Sequence, residues 1–121
     1  MSLTSNSRLK KPVAKITADE LEKAKAYIHG AVYCWCNNKK DDWFFAGDLF
    51  GKDNYFWNTT PLHPIWKWHN ARGAKDPVLM AGRDVGSILK EILKNDTRTF
   101  DTRKVARRQG WPTCQYKWKK I

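Results

Sequence analysis

No run of eighteen apolar residues occurs anywhere in the 121-residue chain, so no stretch reads as a membrane-spanning helix. The first fifteen residues have no apolar core and no small-residue cleavage pattern, and a secretory leader is not expected there. Cysteine is scarce and odd in number. Of the three, Cys34 and Cys36 stand too close on a helix to bridge, so a disulfide framework is not expected and a reducing cytoplasm is.

Metal ligands are equally thin. The pool is Cys34, Cys36, Cys114, His29, His63 and His69, and a Cys-x-Cys step on a helix turns its two sulfurs to different faces with no second pair at zinc spacing. No bound metal or cofactor is expected. Acids are few, twelve against twenty-three Lys and Arg, and several, such as Asp41, Asp42, Asp48 and Asp84, sit where turns and caps use Asp for local hydrogen bonds. A phosphodiesterase needs carboxylates that converge on metal. No glycine-rich phosphate loop appears, nor a Ser or Cys nucleophile at readable spacing from a base, so a non-catalytic role is expected. His69 reads as a satisfied core histidine.

What the chain has is positive charge, +11 in all with a pI near 9.8. Over residues 98 to 121, Arg98, Arg103, Lys104, Arg107, Arg108, Lys117, Lys119 and Lys120 are opposed only by Asp101, so this end supplies +7 of the +11. Isolated surface ion pairs are worth about 0–1 kcal/mol, too little for stability to explain so many cations. A polyanion explains them better, and nucleic acid is the expected partner.

The length fits one domain, expected over 16–121, with 1–15 as a disordered basic arm carrying Arg8, Lys10, Lys11 and Lys15. Thr17 and Glu20 form a capping-box pair opening a helix from about 17 to 36. Its second half, apolar nearly all round, serves a core or, over 28–36, a homodimer face. Asn37–Asp42 should turn, Trp43–Phe45 extend briefly, and Ala46–Phe50 make one helical turn. A loop with buried aromatics follows to Asn58. Thr60-Pro61 is a cap-and-first-position pair for a helix to Asn70. Ala71–Gly82, with two Gly and one Pro, reads as a connecting loop, and Asp84 as the cap of a helix to Lys94.

On that last helix Val85, Ile88, Leu89 and Ile92 form one stripe, and Arg83, Ser87, Lys90 and Lys94 another suited to a groove. Two arms, 97–108 and 113–120, flank a Gln109-Gly110-Trp111-Pro112 turn. The second alternates cleanly, with Cys114, Tyr116 and Trp118 on one side. The first alternates poorly; a hairpin is the expectation, with a short helix over Arg103–Arg108 as the alternative. Seven tryptophans exceed what one small core takes, and Trp68 and Trp111 are the candidates for exposed stacking.

Helix, short strand, helix, loop, helix and basic hairpin is an order that resembles the winged helix-turn-helix superfamily. The helix segment Val85-Gly86-Ser87-Ile88-Leu89-Lys90, with Gly110-Trp111 and Tyr116-Lys117-Trp118 beyond it, is similar to the endings of phage and plasmid replication proteins. The resemblance implies a small α+β domain of three or four helices with a C-terminal two-stranded hairpin, duplex-DNA binding and a mobile-element origin. It also implies a groove-reading third helix and a hairpin on the phosphate backbone. The gap of about thirteen residues between the second and third expected helices departs from the tight turn of that family. Three other readings stay open: a single-strand or RNA binder using exposed Trp, a metal-dependent nuclease, and an adaptor for an acidic protein.

Overall fold

The computed structural model describes residues 14–39, 42–51, 56–106 and 113–119. Among the described residues four helices precede an antiparallel hairpin: α1 (Ala18–Asn38), α2 (Ala46–Phe50), α3 (His63–Ala71), α4 (Pro77–Lys94), β1 (Thr99–Val105) and β2 (Thr113–Lys119). The class is α+β, and the arrangement is consistent with a small winged-helix-like domain.

Local signals open α1. Thr17 Oγ1 accepts from Glu20 N at 3.0 Å and Glu20 Oε1 accepts from Thr17 N at 2.9 Å, the reciprocal box its sequence announces. Ala24, Ile28, Val32 and Cys36 fall at every fourth position and are all buried, so this stripe of the helix lies in the core. Tyr33 and Cys34, in the 28–36 segment expected as a core or homodimer face, stay exposed beside that stripe. The helix runs two residues past the expected end because Asn38 Nδ2 donates to Cys34 O at 2.8 Å, closing the last turn from its own side chain.

Phe44 is extended, as expected, and pairs with Tyr116 through two 2.8 Å backbone bonds, which adds a one-residue third strand to the hairpin. Asp48 then accepts from Phe45 N at 3.1 Å to start α2, and Gly51, at φ 108°, ends it in the left-handed region that glycine enters without strain. Thr60 caps the approach to α3, its hydroxyl accepting from Leu62 N, but the regular helix begins at His63, two residues later than expected.

The larger correction concerns α4. It starts at Pro77, not at Asp84. Asp76 Oδ1 accepts from Leu79 N at 3.1 Å and Pro77 occupies the first helical position, where its missing N–H costs nothing. Gly82 lies inside the helix. Interior glycine costs about 1 kcal/mol, and burying Ala81, Val85, Ile88 and Leu89 outweighs it at about 1.5–3 kcal/mol for each large side chain. The link between α3 and α4 therefore contracts to Arg72–Asp76, with Gly73 at φ 75° making the bend.

Asp84 is instead a buried interior residue, 3% exposed. Its Oδ2 accepts from Ala14 N at 3.0 Å and faces His69 Nε2 at 2.7 Å. Arg72 Nε donates to His69 Nδ1 at 3.1 Å, so Nδ1 is unprotonated and Nε2 carries the hydrogen given to Asp84. His69, 0% exposed, is the satisfied core histidine expected of it. Ala14 is buried by the same contact, so the folded unit includes residues assigned above to the arm.

Helix α4 is the hub: it packs against α1, α2, α3 and β1. Registry of the hairpin pairs Phe100 with Trp118, Thr102 with Tyr116 and Arg103 with Gln115. Tyr116 is buried and Phe100, Cys114 and Trp118 pack on the core beside it, as the alternation of β2 foretold. Arg103–Val105 are strand, which overturns the helical alternative for them; the turn at 109–112 lies outside the described residues.

Candidate nucleic-acid interface

The extended start of α4 lengthens its solvent stripe. Leu79, Arg83, Lys90 and Lys94 are exposed, with Ser87 half-buried among them. The neighbouring acid Glu91 turns to Lys25 of α1 at 3.7 Å. Neither Lys90 nor Lys94 has a carboxylate of a described residue within ion-pair distance. Burial of Val85, Ile88, Leu89 and Ile92 on the opposite side fixes which way these cations point.

A second group lies on the outer face of the hairpin. Alternation puts Thr99, Asp101, Arg103 and Val105 with their partners Lys119, Lys117, Gln115 and Thr113 on the side away from the core. Trp43 joins them, because Phe44 points inward and its neighbour in an extended segment must point out. The Arg103 guanidinium sits 4.1 Å from the Trp43 ring centre and the Lys117 ammonium 5.9 Å from it, while Arg103 Nε donates to Gln115 Oε1 at 2.8 Å. A flat aromatic flanked by two cations on a two-stranded ribbon can meet a sugar-phosphate backbone with both charge and stacking surface. Lys119 completes this face. Lys104 is exposed but its Cβ, opposite Cys114, lies on the other side of the ribbon.

Arg98 has a different place. Its Nη1 donates to both Asp96 carboxylate oxygens, at 3.0 and 2.9 Å, and its guanidinium stacks 3.9 Å over Tyr33, leaving the side chain 12% exposed. His29 Nε2 meets the same carboxylate at 2.8 Å. Burial works to raise the Asp96 pKa, but the Arg98 backbone N–H, the His29 contact and the nearby charges prevail and hold it below the ordinary carboxylate range. This cluster ties the end of α4 and the start of β1 to α1. Asp96 lies two residues before the basic stretch, which is why counting charge from residue 98 misses it.

Trp68 is half-buried rather than open. It packs against the core edge-on to His69, with Arg72 5.3 Å above its ring. Arg107, Arg108 and Trp111 lie outside the described residues. Sequence reasoning passed over two aromatics. Trp43 could have been found from period two, since Phe44 reads as an inward residue. Phe56, in a loop expected to bury its aromatics, is 82% exposed, because Trp57 takes the core position and donates Nε1–H to Phe50 O at 3.1 Å.

Cys34 is exposed and Cys36 buried, on different faces of α1 as their spacing dictates; burial raises the Cys36 thiol pKa. No described helix is long and apolar enough to cross a membrane. The chain matches no protein-family model, no curated protein and no solved structure, so the reading of this surface rests on its own geometry.

Proposed function

We propose that this chain is a non-catalytic nucleic-acid-binding protein whose preferred ligand is duplex DNA. The α4 stripe of Arg83, Ser87, Lys90 and Lys94 would lie in the major groove, and Arg103, Lys117 and Lys119 on the phosphate backbone. The observation that carries this reading is the pairing pattern of α4. Its acids Asp84 and Glu91 are committed to His69, Ala14 and Lys25, while Lys90 and Lys94 are left to solvent. A helix presenting cations on one side while its own acids are used internally is suited to a polyanion. Contraction of the α3–α4 link to Arg72–Asp76 also supports the helix-turn-helix reading, since it removes the long gap that argued against it.

Within this reading Arg103 and Trp43 position the hairpin and do not select bases. Selection falls to Arg83 and Ser87, side chains long enough or polar enough to reach base edges, while Lys90 and Lys94 meet phosphates. A reducing cytoplasmic setting and a mobile-element origin belong to the same proposal. The test is a gel-shift titration of the full chain on a mixed-sequence duplex in low salt, repeated with Lys90→Glu/Lys94→Glu. Binding by the parent and its loss in the variant are expected; a parent that leaves the duplex unshifted would contradict the proposal.

A further inference from the structure

A cavity of about 270 Å³ opens beside the amino end of α4, lined by Phe56, Trp57, Asn58, His63, Trp66 and Val78. The walls are flat. His63 and Trp66 stack at 5.6 Å between ring centres and 21° between planes, forming a ledge on α3, and Phe56 projects into solvent more fully than any other large apolar side chain described. An exposed phenylalanine beside a preformed aromatic cleft calls for an occupant, because its apolar surface stays in water until something covers it.

The chemistry of the lining narrows that occupant. None of the described lining residues bears a carboxylate, and the chain carries +11, which disfavours a cationic guest of the kind aromatic cages take. Asn58 supplies an amide that both donates and accepts, matching the mixed edge of a heteroaromatic ring. Lys67, exposed and one helical turn beyond His63 on α3, stands where a charge attached to such a ring could be met. Val78 is the second residue of α4, so the cleft also adjoins the positive end of that helix dipole. A planar ring with an anionic tether satisfies all of these together.

We infer that this cleft receives one unpaired nucleobase, seated between Phe56 and the His63–Trp66 ledge, while α4 and the hairpin hold the adjoining duplex. The inference rests on the nucleic-acid reading and extends it: the preferred ligand is a duplex with an unpaired nucleotide, such as a junction with a single-stranded tail. Stacking a base on aromatic side chains is worth about 1–3 kcal/mol, or about 5- to 150-fold in affinity.

The experiment compares the full chain on three ligands at one low salt concentration: a blunt duplex, the same duplex with a one-nucleotide overhang, and that overhang made abasic. The overhang should bind at least about fivefold more tightly than the blunt end, the abasic overhang should lose the gain, and Phe56→Ala should erase it while leaving blunt-duplex affinity unchanged. Phe56 is exposed, so its replacement leaves the fold intact, and Trp66→Phe should keep most of the preference by keeping a flat wall. Equal affinity for base and abasic ends, or a preference that survives Phe56→Ala, would overturn this inference alone. Failure to bind any of the three would overturn it together with the proposed function. An apolar peptide that competes with none of the oligonucleotides yet quenches the tryptophans through Phe56 would assign the cleft to protein instead.

Discussion

Replacing Asp84 by alanine tests the internal framework on which the basic helix stands. One carboxylate oxygen takes the Ala14 amide at 3.0 Å and the His69 imidazole at 2.7 Å, and Arg72 closes the chain from the other side of the ring at 3.1 Å. Alanine leaves a buried ring N–H without its acceptor, strands the Ala14 N–H, and removes the charge facing Arg72 through the ring. A buried donor left without its acceptor costs about 1–3 kcal/mol, more where the acceptor was charged, so the two stranded here come to about 3–5 kcal/mol. For a chain of this size about 4 °C of Tm goes with each kcal/mol, so a fall of about 12–20 °C is expected. Asp84→Asn keeps an oxygen with two lone pairs and should cost about 1–2 kcal/mol. Urea unfolding followed by tryptophan fluorescence reads both, and hydrogen exchange should show the Ala14–Thr17 amides opening in the alanine variant. An alanine variant within about 0.5 kcal/mol of the parent, a change typical of inert surface positions, would refute the account of this cluster.

Other consequences can be checked separately. Arg98→Ala should destabilise the fold by about 1–3 kcal/mol through loss of the Asp96 pair and the Tyr33 stack, while leaving the salt dependence of DNA binding unchanged, as measured by anisotropy. Asp96 has a folded pKa below its unfolded value of about 3.9, so its contribution is present above that pH and is lost as pH falls through the folded value; Asp96→Asn should flatten acid unfolding monitored by circular dichroism below about pH 4. Leu89→Ala, in the buried stripe of α4, should cost about 2–5 kcal/mol in the same urea assay. Trp43→Ala should weaken duplex binding modestly and free Arg103 from a contact worth about 0.5–1 kcal/mol, with a blue-shifted emission change reporting the loss of the indole.

Much of this architecture can be read from residues in order. Thr17 and Glu20 announce α1 because a capping box is a local interaction, and the alternation of Cys114, Tyr116 and Trp118 announces β2 because one side of a strand must pack. The start of α4 was illegible for a specific reason: Gly82 and Pro77 both carry loop signals, and only tertiary burial of Ala81 and Val85 decides against them. Asp76-Pro77 in fact offers the same cap-and-proline signature that Thr60-Pro61 offers sixteen residues earlier. Asp84 illustrates the limit of local reading. Its partners, His69 and Ala14, are far away in sequence, so an acid that looks like a cap turns out to be a buried acceptor. The candidate interface was legible on α4, where helical periodicity separates Lys90 and Lys94 from the core, and less so at Arg98, whose commitment to Asp96 and Tyr33 depends on α1 and β1 meeting. Trp68 was misplaced because helical projection alone cannot say how far a neighbouring layer extends over its edge.

The central claim is that Lys90, Lys94, Lys117 and Lys119 are there for phosphates, and the most direct measurement is the slope of log affinity against log salt for a short duplex. Each phosphate contact contributes about 0.9 to that slope, so neutralising Lys90 and Lys94 together should lower it by about 2, and neutralising Lys117 and Lys119 by a similar amount. Slopes that stay at the parent value in both double variants, with the fold intact, would contradict the account.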